Sequence, residues 1–309
     1  MMEVSNNNSI NYEELDFLVE ILTKYPKESL KKISELEGIE YYKLKRIYDK
    51  YYGPDKYVQV STIYNIAKIG LKSFVAFISV PRDELRSKAL EILKNPFCNY
   101  LNASFGFKLG IAAYYHIPVD QVKYIDELLS KYSDDYEYYE VRGYPKRPRQ
   151  FGKWNLSYDY AILMDILKED ARTSISKISQ TLGKTRPTVK YMIERLESLE
   201  IILNYIAVYD DYAYNRAFVG IAEDLDESII QEWIKRYDFH IGAIVPKGYL
   251  IEMYFTSKED IGLKILEMSK YVNKFSVEYL DILRDINRWG KFSERVRRDG
   301  KGYRSILDF

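Results

Sequence analysis

The sequence contains itself twice. Residues 17–34 (FLVEILTKYPKESLKKIS) align without a gap on residues 162–179 (ILMDILKEDARTSISKIS), at an offset of 145 residues. Ile21-Leu22 falls on Ile166-Leu167, Ser29 on Ser174, Lys32-Ile33-Ser34 on Lys177-Ile178-Ser179, and Gly38 on Gly183. Further along, Phe74-Val75 meets Phe218-Val219 at an offset of 144, and Tyr114 and Asp120 meet Tyr254 and Asp260 at 140. Small loop deletions in a duplicated unit leave a slowly shrinking offset of this kind. The repeat is read as duplication of a unit of about 145 residues, against the chance alternative of common helix patterning, which would not produce matched strands further along.

Both copies parse alike. In the second, Ala161, Ile162, Met164, Ile166 and Leu167 follow helical rather than alternating spacing over 158–168. Ser174 is placed to cap a short helix through Ile175, Ile178 and Leu182, and Gly183 suits a helix end that needs positive φ. Thr185 caps a third helix, with Pro187 in its first turn, where a missing N–H costs least. Val189, Met192, Ile193 and Leu196 are spaced to form its buried face, and a β-prone stretch, 201–208, follows. Three helices with a tight turn between the second and third, then a ribbon, make a winged helix-turn-helix. The first copy repeats the order at 13–23, 29–37, 40–51 and 57–60. Beyond each, strands and helices alternate as βαββαβ: 73–80, 82–94, 100–105, 109–116, 119–132 and 136–141, then 218–222, 227–237, 241–245, 250–256, 258–272 and 277–283. That order is ferredoxin-like. The expected fold class is α+β, with two winged helix-turn-helix domains each followed by a ferredoxin-like βαββαβ domain, arranged as a fused pseudo-dimer. The expected boundaries are 1–68, 69–141, a basic linker 142–156, 157–213, 214–283 and a basic C-terminal tail 284–309.

Charge composition limits the function classes. With 46 Lys and Arg against 46 Asp and Glu, the net charge is zero, so any surface for nucleic acid must be local. One cysteine, Cys98, excludes a disulfide framework and a cysteine-based zinc site. Two histidines, His116 and His240, leave little for metal binding or histidine-centred acid–base chemistry, and no metal or cofactor is expected. No signal segment opens the sequence and no apolar run approaches membrane length, so a cytoplasmic protein without a membrane partner is expected. Tyrosine is abundant, 31 residues, many in adjacent pairs such as Tyr41-Tyr42, Tyr51-Tyr52, Tyr114-Tyr115 and Tyr138-Tyr139. Base stacking is the functional reading of this abundance. Filling of cores and interfaces by an apolar ring with a polar tip is the simpler one.

The stretches Asp159-Tyr-Ala-Ile-Leu, Leu167-Lys-Glu-Asp-Ala-Arg-Thr-Ser, Arg186-Pro-Thr-Val and Arg195-Leu-Glu resemble the helix-turn-helix pattern of the leucine-responsive/asparagine regulator (Lrp/AsnC) family. The resemblance is closest over 159–199, weaker in the N-terminal helix-turn-helix, and rests on element order elsewhere. Ordinary members are dimers of one such unit, and many bind amino acids between their βαββαβ domains. The resemblance therefore implies a covalently fused, diverged dimer acting as a sequence-specific regulator on double-stranded promoter DNA. It leaves a small-molecule effector unidentified and further homodimerisation open.

A helix-turn-helix reads DNA with the N-terminal part of its second helix. Here that segment runs Lys184-Thr-Arg-Pro-Thr-Val-Lys-Tyr. Arg186 is suited to a bidentate contact with guanine, and Thr188 to a base edge or a thymine methyl. Lys190, Tyr191 and Arg195 are suited to positioning on phosphates, and Lys184 and Thr185 belong to the same DNA-binding set. Arg172, Thr173 and Ser174 open the preceding helix, another natural phosphate site. A solvated basic helix face is the plain alternative. In the first copy Glu40-Tyr41-Tyr42-Lys43 replaces Thr185-Arg186-Pro187-Thr188, so an acid stands where a cap is wanted. Lys43, Lys45, Arg46 and Lys50 still form a basic run, a possible secondary DNA contact with weaker readout. The linker 142–153, with five positive charges, and the tail, with eight against four negative, could touch phosphates or simply be solvated.

Family members often carry a Gly followed by acids between the second and third strands. The corresponding turns here hold Lys108 and Lys247 instead, which speaks against an amino-acid effector. The same two-part architecture is similar to siroheme decarboxylases, which rely on histidines and an arginine around the sheet. Asn99-Tyr100 matches part of that pattern, but Cys98 stands where a histidine belongs, and neither His116 nor His240 has an evident partner. No phosphate loop, nucleophile elbow or metal-spaced set is present, so an enzyme is not expected. A non-catalytic, ligand-sensing or partner-binding scaffold is the third class.

Overall fold

A computed structural model describes residues 11–53, 56–145, 150–209, 214–237, 239–256 and 259–309. The chain divides into two compact units, one made of residues 1–65 and 162–211, the other of 66–161 and 212–309. Each sequence repeat thus contributes to both units.

The first unit holds both helix-turn-helix segments. Helices α1 (Tyr12–Lys24), α2 (Leu30–Glu37) and α3 (Tyr41–Tyr51) precede strand β1 (Val58–Tyr64). Helices α6 (Tyr158–Glu169), α7 (Ile175–Leu182) and α8 (Arg186–Ser198) precede β6 (Ile202–Tyr209). The expected caps form. Ser29 Oγ accepts from Lys32 N, Ser174 Oγ from Lys177 N and Thr185 Oγ1 from Thr188 N. Gly38 and Gly183 end α2 and α7 with φ of 65° and 62°, a backbone that glycine adopts without a Cβ penalty. Glu40 opens α3 with no side-chain cap, as its identity foretold. Val189, Met192 and Leu196 form the buried stripe of α8, each worth roughly 1.5–3 kcal/mol on removal from water.

The expected ribbons are corrected in one respect. Each copy supplies one strand, and the two pair with each other: β1 runs antiparallel to β6, from Val58 opposite Tyr209 to Thr62 opposite Tyr205. The strands also cross over in their packing. Thr62 Oγ1 donates to Leu167 O (2.7 Å), Ser61 Oγ to Lys168 O (2.8 Å) and Tyr64 Oη to Met164 O (2.8 Å), tying the first copy's strand to the second copy's α6. Ala207 N of β6 donates to Thr23 Oγ1 of α1 in return.

The second unit holds both βαββαβ segments. The first comprises β2 (Leu71–Ser79), α4 (Leu85–Leu93), β3 (Cys98–Gly106), β4 (Leu109–Pro118), α5 (Ile125–Ser130) and β5 (Tyr136–Gly143). The second comprises β7 (Tyr214–Ala222), α9 (Glu227–Arg236), β8 (Phe239–Val245), β9 (Tyr249–Thr256), α10 (Ile261–Met268) and β10 (Lys274–Tyr279). The eight strands close into one barrel in the order β10-β3-β4-β2-β5-β8-β9-β7. Closure comes from two equivalent seams, β5 with β8 and β10 with β3, each joining the last strand of one copy to the second strand of the other. A closed sheet has no free edge to pair with another chain. It also covers the sheet face that the βαββαβ order leaves bare. Val75, Phe77, Ala112, Val219, Ile221 and Leu250 fill part of the lumen. Outside it, Ile230 and Trp233 of α9 and Met268 of α10 pack with Phe218, Met253 and Phe255.

Two expected boundaries move. The segment read as the linker 142–156 begins inside β5. Gly152 N donates to Ala67 O, and Trp154 and Leu156 are buried. Lys146, Arg147 and Arg149 lie outside the described residues, as do the first ten residues and residue 213 at the fourth expected boundary. The segment read as a basic tail, 284–309, is folded. It forms a short helix, α11 (Phe292–Arg295), and buries Phe292, Arg295, Val296, Tyr303 and Ile306. Asn95 Nδ2 donates to Ile306 O (2.8 Å), Tyr303 Oη to Ile69 O (2.8 Å) and Lys131 Nζ to Leu307 O (2.9 Å). Apolar residues spaced among the charges outweigh the charge run, because burying four large side chains favours order over solvation. Among the described residues no helix is long and apolar enough to cross a membrane.

Candidate nucleic-acid interface

The second copy's helix-turn-helix presents a basic, hydroxyl-bearing surface. Lys184, Thr185, Arg186, Thr188, Lys190, Tyr191 and Arg195 are all exposed, and Tyr191 is 57% exposed. The hydroxyls of Thr185 and Thr188 lie 2.8 Å apart, so the cap and the residue suited to a base contact hold each other in place. A local sequence effect builds this surface. Thr185 and Pro187 fix the start of α8, and the apolar stripe of Val189, Met192 and Leu196 turns the remaining positions outward.

The structure separates these residues into two groups. Lys190 and Ser174 line a groove of about 500 Å³ within the first unit, together with Lys27, Tyr48, Glu197 and Tyr205. Lys184, Thr185, Arg186, Thr188, Tyr191 and Arg195 lie away from it. Thr173 also lines the groove and is half-buried.

Arg172, read from the sequence as a phosphate contact, also lines the groove but is engaged by backbone carbonyls. Its guanidinium donates to the carbonyl oxygens of Pro26 (2.9 Å), Glu28 (2.7 Å) and Tyr25 (3.4 Å), just ahead of α2. It also lies 5.6 Å from the ring of Tyr48, which stacks on Tyr52 at 4.4 Å. Tyr52 Oη in turn donates to Asp170 Oδ1 at 2.5 Å. Arg172 therefore joins the two helix-turn-helix segments. Three fixed carbonyls match its planar fork better than a mobile phosphate does.

The first copy's basic run is largely neutralised. Lys50 and Arg46 reach Glu14 at 3.1 and 3.4 Å, and Lys45 pairs with Asp49 one turn away. These cations hold Glu14 below the usual carboxylate range. Lys43, Tyr41 and Tyr42 are exposed at the start of α3, Tyr42 by 75%. Elsewhere the tyrosines mostly follow the simpler reading: Tyr51, Tyr52, Tyr115, Tyr205 and Tyr303 are buried.

Both histidines have neighbours that the sequence did not reveal. His116 Nδ1 lies 2.8 Å from Asn99 Nδ2, and Arg295 donates to Asn99 Oδ1 at 2.5 Å. His240 stands opposite Glu252 across β8 and β9, with its ring 5.3 Å from that of Tyr254. The hairpin lysines are engaged, Lys108 with Asp135 and Lys247 with Asp224 (3.5 Å). A second cluster went unnoticed in the sequence. Tyr114 Oη lies 2.8 Å from Glu252 Oε1 and 3.0 Å from Glu278 Oε1, while Asn102 Nδ2 donates to Glu278 Oε2 at 2.7 Å. Burial pushes the Glu278 carboxyl up to about 8 and raises Glu252 as well, against the lowering pull of Tyr114 and His240. The available signal was an acid at an inward position of each strand, Glu252 two residues after Leu250 and Glu278 two after Ser276.

A family model described as winged helix-turn-helix DNA-binding matches residues 157–202. An uncharacterized HTH-type transcriptional regulator of Pyrococcus abyssi is 34% identical over 79 residues, 26% of this chain and 48% of its own length. One of Pyrococcus horikoshii is 33% identical over the same length and shares. The chain thus spans about half the length of the curated relatives it matches. Among solved structures, the siroheme decarboxylase NirDL superposes with a TM-score of 0.64 at 17% identity, covering 91% of this chain and 95% of that one. Bacillus subtilis LrpC has a TM-score of 0.34 at 18% identity, over 41% of this chain and 96% of its own. At such identity the NirDL likeness is one of fold. The chain carries a winged helix-turn-helix of the DNA-binding type in its second copy, and the curated relatives it matches are HTH-type regulators.

Proposed function

We propose that the protein is a cytoplasmic, sequence-specific transcription regulator of Lrp/AsnC type, in which a duplicated unit forms a pseudo-dimer within one chain. The observation that carries this reading is the exposed start of α8. Arg186, Thr188 and Tyr191 stand out from a helix whose cap and buried stripe are intact. Arg186 and Thr188 read bases, while Lys184, Thr185, Lys190, Tyr191 and Arg195 position the helix on phosphates. The first copy, with Lys45, Arg46 and Lys50 tied to carboxylates, contributes weaker and less specific contacts. The two heads are therefore unequal and suit an asymmetric site. A second chain would restore symmetry and raise affinity through linkage.

The test is binding to duplex DNA from the protein's own promoter and to a scrambled duplex, across a salt series. A preference for the promoter, with log K falling by about 0.9 per phosphate contact per unit of log salt, supports the reading. Equal binding to both duplexes removes sequence specificity, and no binding at low salt removes the DNA reading.

The fold likeness to NirDL over most of both chains favours one second reading, a tetrapyrrole enzyme. The lumen's chemistry weighs against it. Glu252 and Glu278 are poor hosts for a macrocycle that itself carries carboxylates. A Soret band in the purified or tetrapyrrole-loaded protein would favour the second reading over the first.

A further inference from the structure

The acidic cluster inside the barrel plays no part in contacting DNA, and it costs free energy to maintain. Tyr114 has one hydroxyl proton but touches a carboxylate on either side, Glu252 of β9 and Glu278 of β10. With both acids ionised, one of those contacts would set lone pair against lone pair. The arrangement closes when Glu278 holds a proton. Asn102 then donates to Glu278, Glu278 to Tyr114, and Tyr114 to Glu252. Two serines share the lumen face. Ser104 stands opposite Glu278 in the β3–β10 register, and Ser276 is two residues before it. They are 1% and 0% exposed, and among the described residues neither hydroxyl has a hydrogen-bond partner. Buried hydroxyls are rarely left so without a ligand or ordered water to meet them.

The walls define what could meet them. Tyr100 stacks on Tyr114 at 4.3 Å, and exposed Trp289 lies edge-on to Tyr100 at 5.5 Å. Tyr100, Tyr114, Glu252 and Tyr254 are half-buried and His240 is exposed at this end of the lumen. Lys274, on the same face of β10, is taken up by Glu137 and lies 3.4 Å from Tyr139 Oη. Beyond the polar end lie Val75, Phe77, Ala112, Val219 and Leu250. Two acids with, among the described residues, only the exposed His240 beside Glu252 as a titratable cation, aromatic walls and an apolar continuation describe a site for a positive head on a short alkyl chain.

We propose that the barrel lumen binds a small alkylamine, its ammonium group held between Glu252 and Glu278 with the Ser104 and Ser276 hydroxyls as further acceptors. The ammonium replaces the proton held by Glu278, so both carboxylates become anionic on binding. The inference stands apart from the DNA reading, and a failure of either leaves the other intact.

Calorimetry on the full chain at pH 7, with n-butylammonium chloride as probe, tests it. The expected result is one-to-one binding with net release of close to one proton, read from the dependence of the heat on buffer ionisation enthalpy. Glu252→Gln and Glu278→Gln should each weaken binding by tenfold or more, and Glu278→Gln should abolish the proton release. Tetramethylammonium, which has no N–H, should not compete. Absence of binding at millimolar butylammonium overturns the proposal, as does unchanged affinity in both variants. Equal competition by potassium would reassign the site to an inorganic cation. Should a variant fail to fold, proton release by the unaltered chain still decides.

Discussion

Arg186 and Lys190 are one helical turn apart and are both exposed, yet their surroundings differ. Lys190 lines the groove beside Ser174, and Arg186 does not. Arg186→Ala should lower the ratio of promoter to scrambled affinity by about 1–3 kcal/mol, the worth of one bidentate base contact. Lys190→Ala should weaken both duplexes alike and reduce the salt slope by about 1. Competition binding at two salt concentrations separates them, and equal effects in both variants would end this division of labour. Glu278 supplies a prediction of the opposite kind, one of stability. Its folded-state value of about 8 lies above the ordinary carboxyl value of about 4.3. Between those values the folded chain keeps a proton that the unfolded chain has lost, so this contribution declines as pH rises through that window. Glu278→Gln, which preserves the shape and the hydrogen bonds to Asn102 and Tyr114, should raise Tm little at pH 5 and most at pH 8.5. Parallel Tm curves for the two proteins without added amine would show that Glu278 holds no such proton.

At the level of elements, the turn between α7 and α8 rests on two residues. A Cβ at Gly183 would meet nothing within 4 Å, so the cost of Gly183→Ala is that of the left-handed backbone alone, about 1 kcal/mol. Thr185→Ala removes the cap on Thr188 N and should also cost about 1 kcal/mol. Urea unfolding reads both changes, and a loss well above that size would mean that the turn supports more than itself. Arg172 lies just before α7 and acts across elements. Arg172→Ala should lower stability by about 2 kcal/mol while leaving the salt slope of DNA binding unchanged. A slope reduced by one contact, with stability intact, would return Arg172 to the phosphates. The caps, the glycine turns and the helical stripes were legible because each depends on residues within one turn of one another. The role of Arg172 was not, because its partners, Tyr25, Pro26 and Glu28, lie in the other copy.

At the scale of the whole molecule, the C-terminal segment shows why charge counts mislead. Eight cations in 26 residues point to a basic tail, solvated or touching phosphates, yet Phe292, Val296, Tyr303 and Ile306 are buried. Truncation after Asn287 should therefore unfold or markedly destabilise the unit that contains the barrel, and circular dichroism with thermal melting would detect it. A truncated chain that melts like the full one would make the segment dispensable. The sequence by itself determined the likeness of its two halves, the order of helices and strands, and the cap-and-stripe chemistry that turns Arg186 and Thr188 outward. All of these follow from local spacing and from the alternation of apolar and polar residues. Only the tertiary structure decided that the two sheets close edge to edge, that β1 pairs with β6, that Arg172 serves as a staple, and that Glu252, Glu278 and Tyr114 meet in one lumen. Those outcomes depend on which strand edges and carbonyls come together across more than a hundred residues. Burial and hydrogen bonding over that separation are settled by the fold as a whole, not by any stretch of chain.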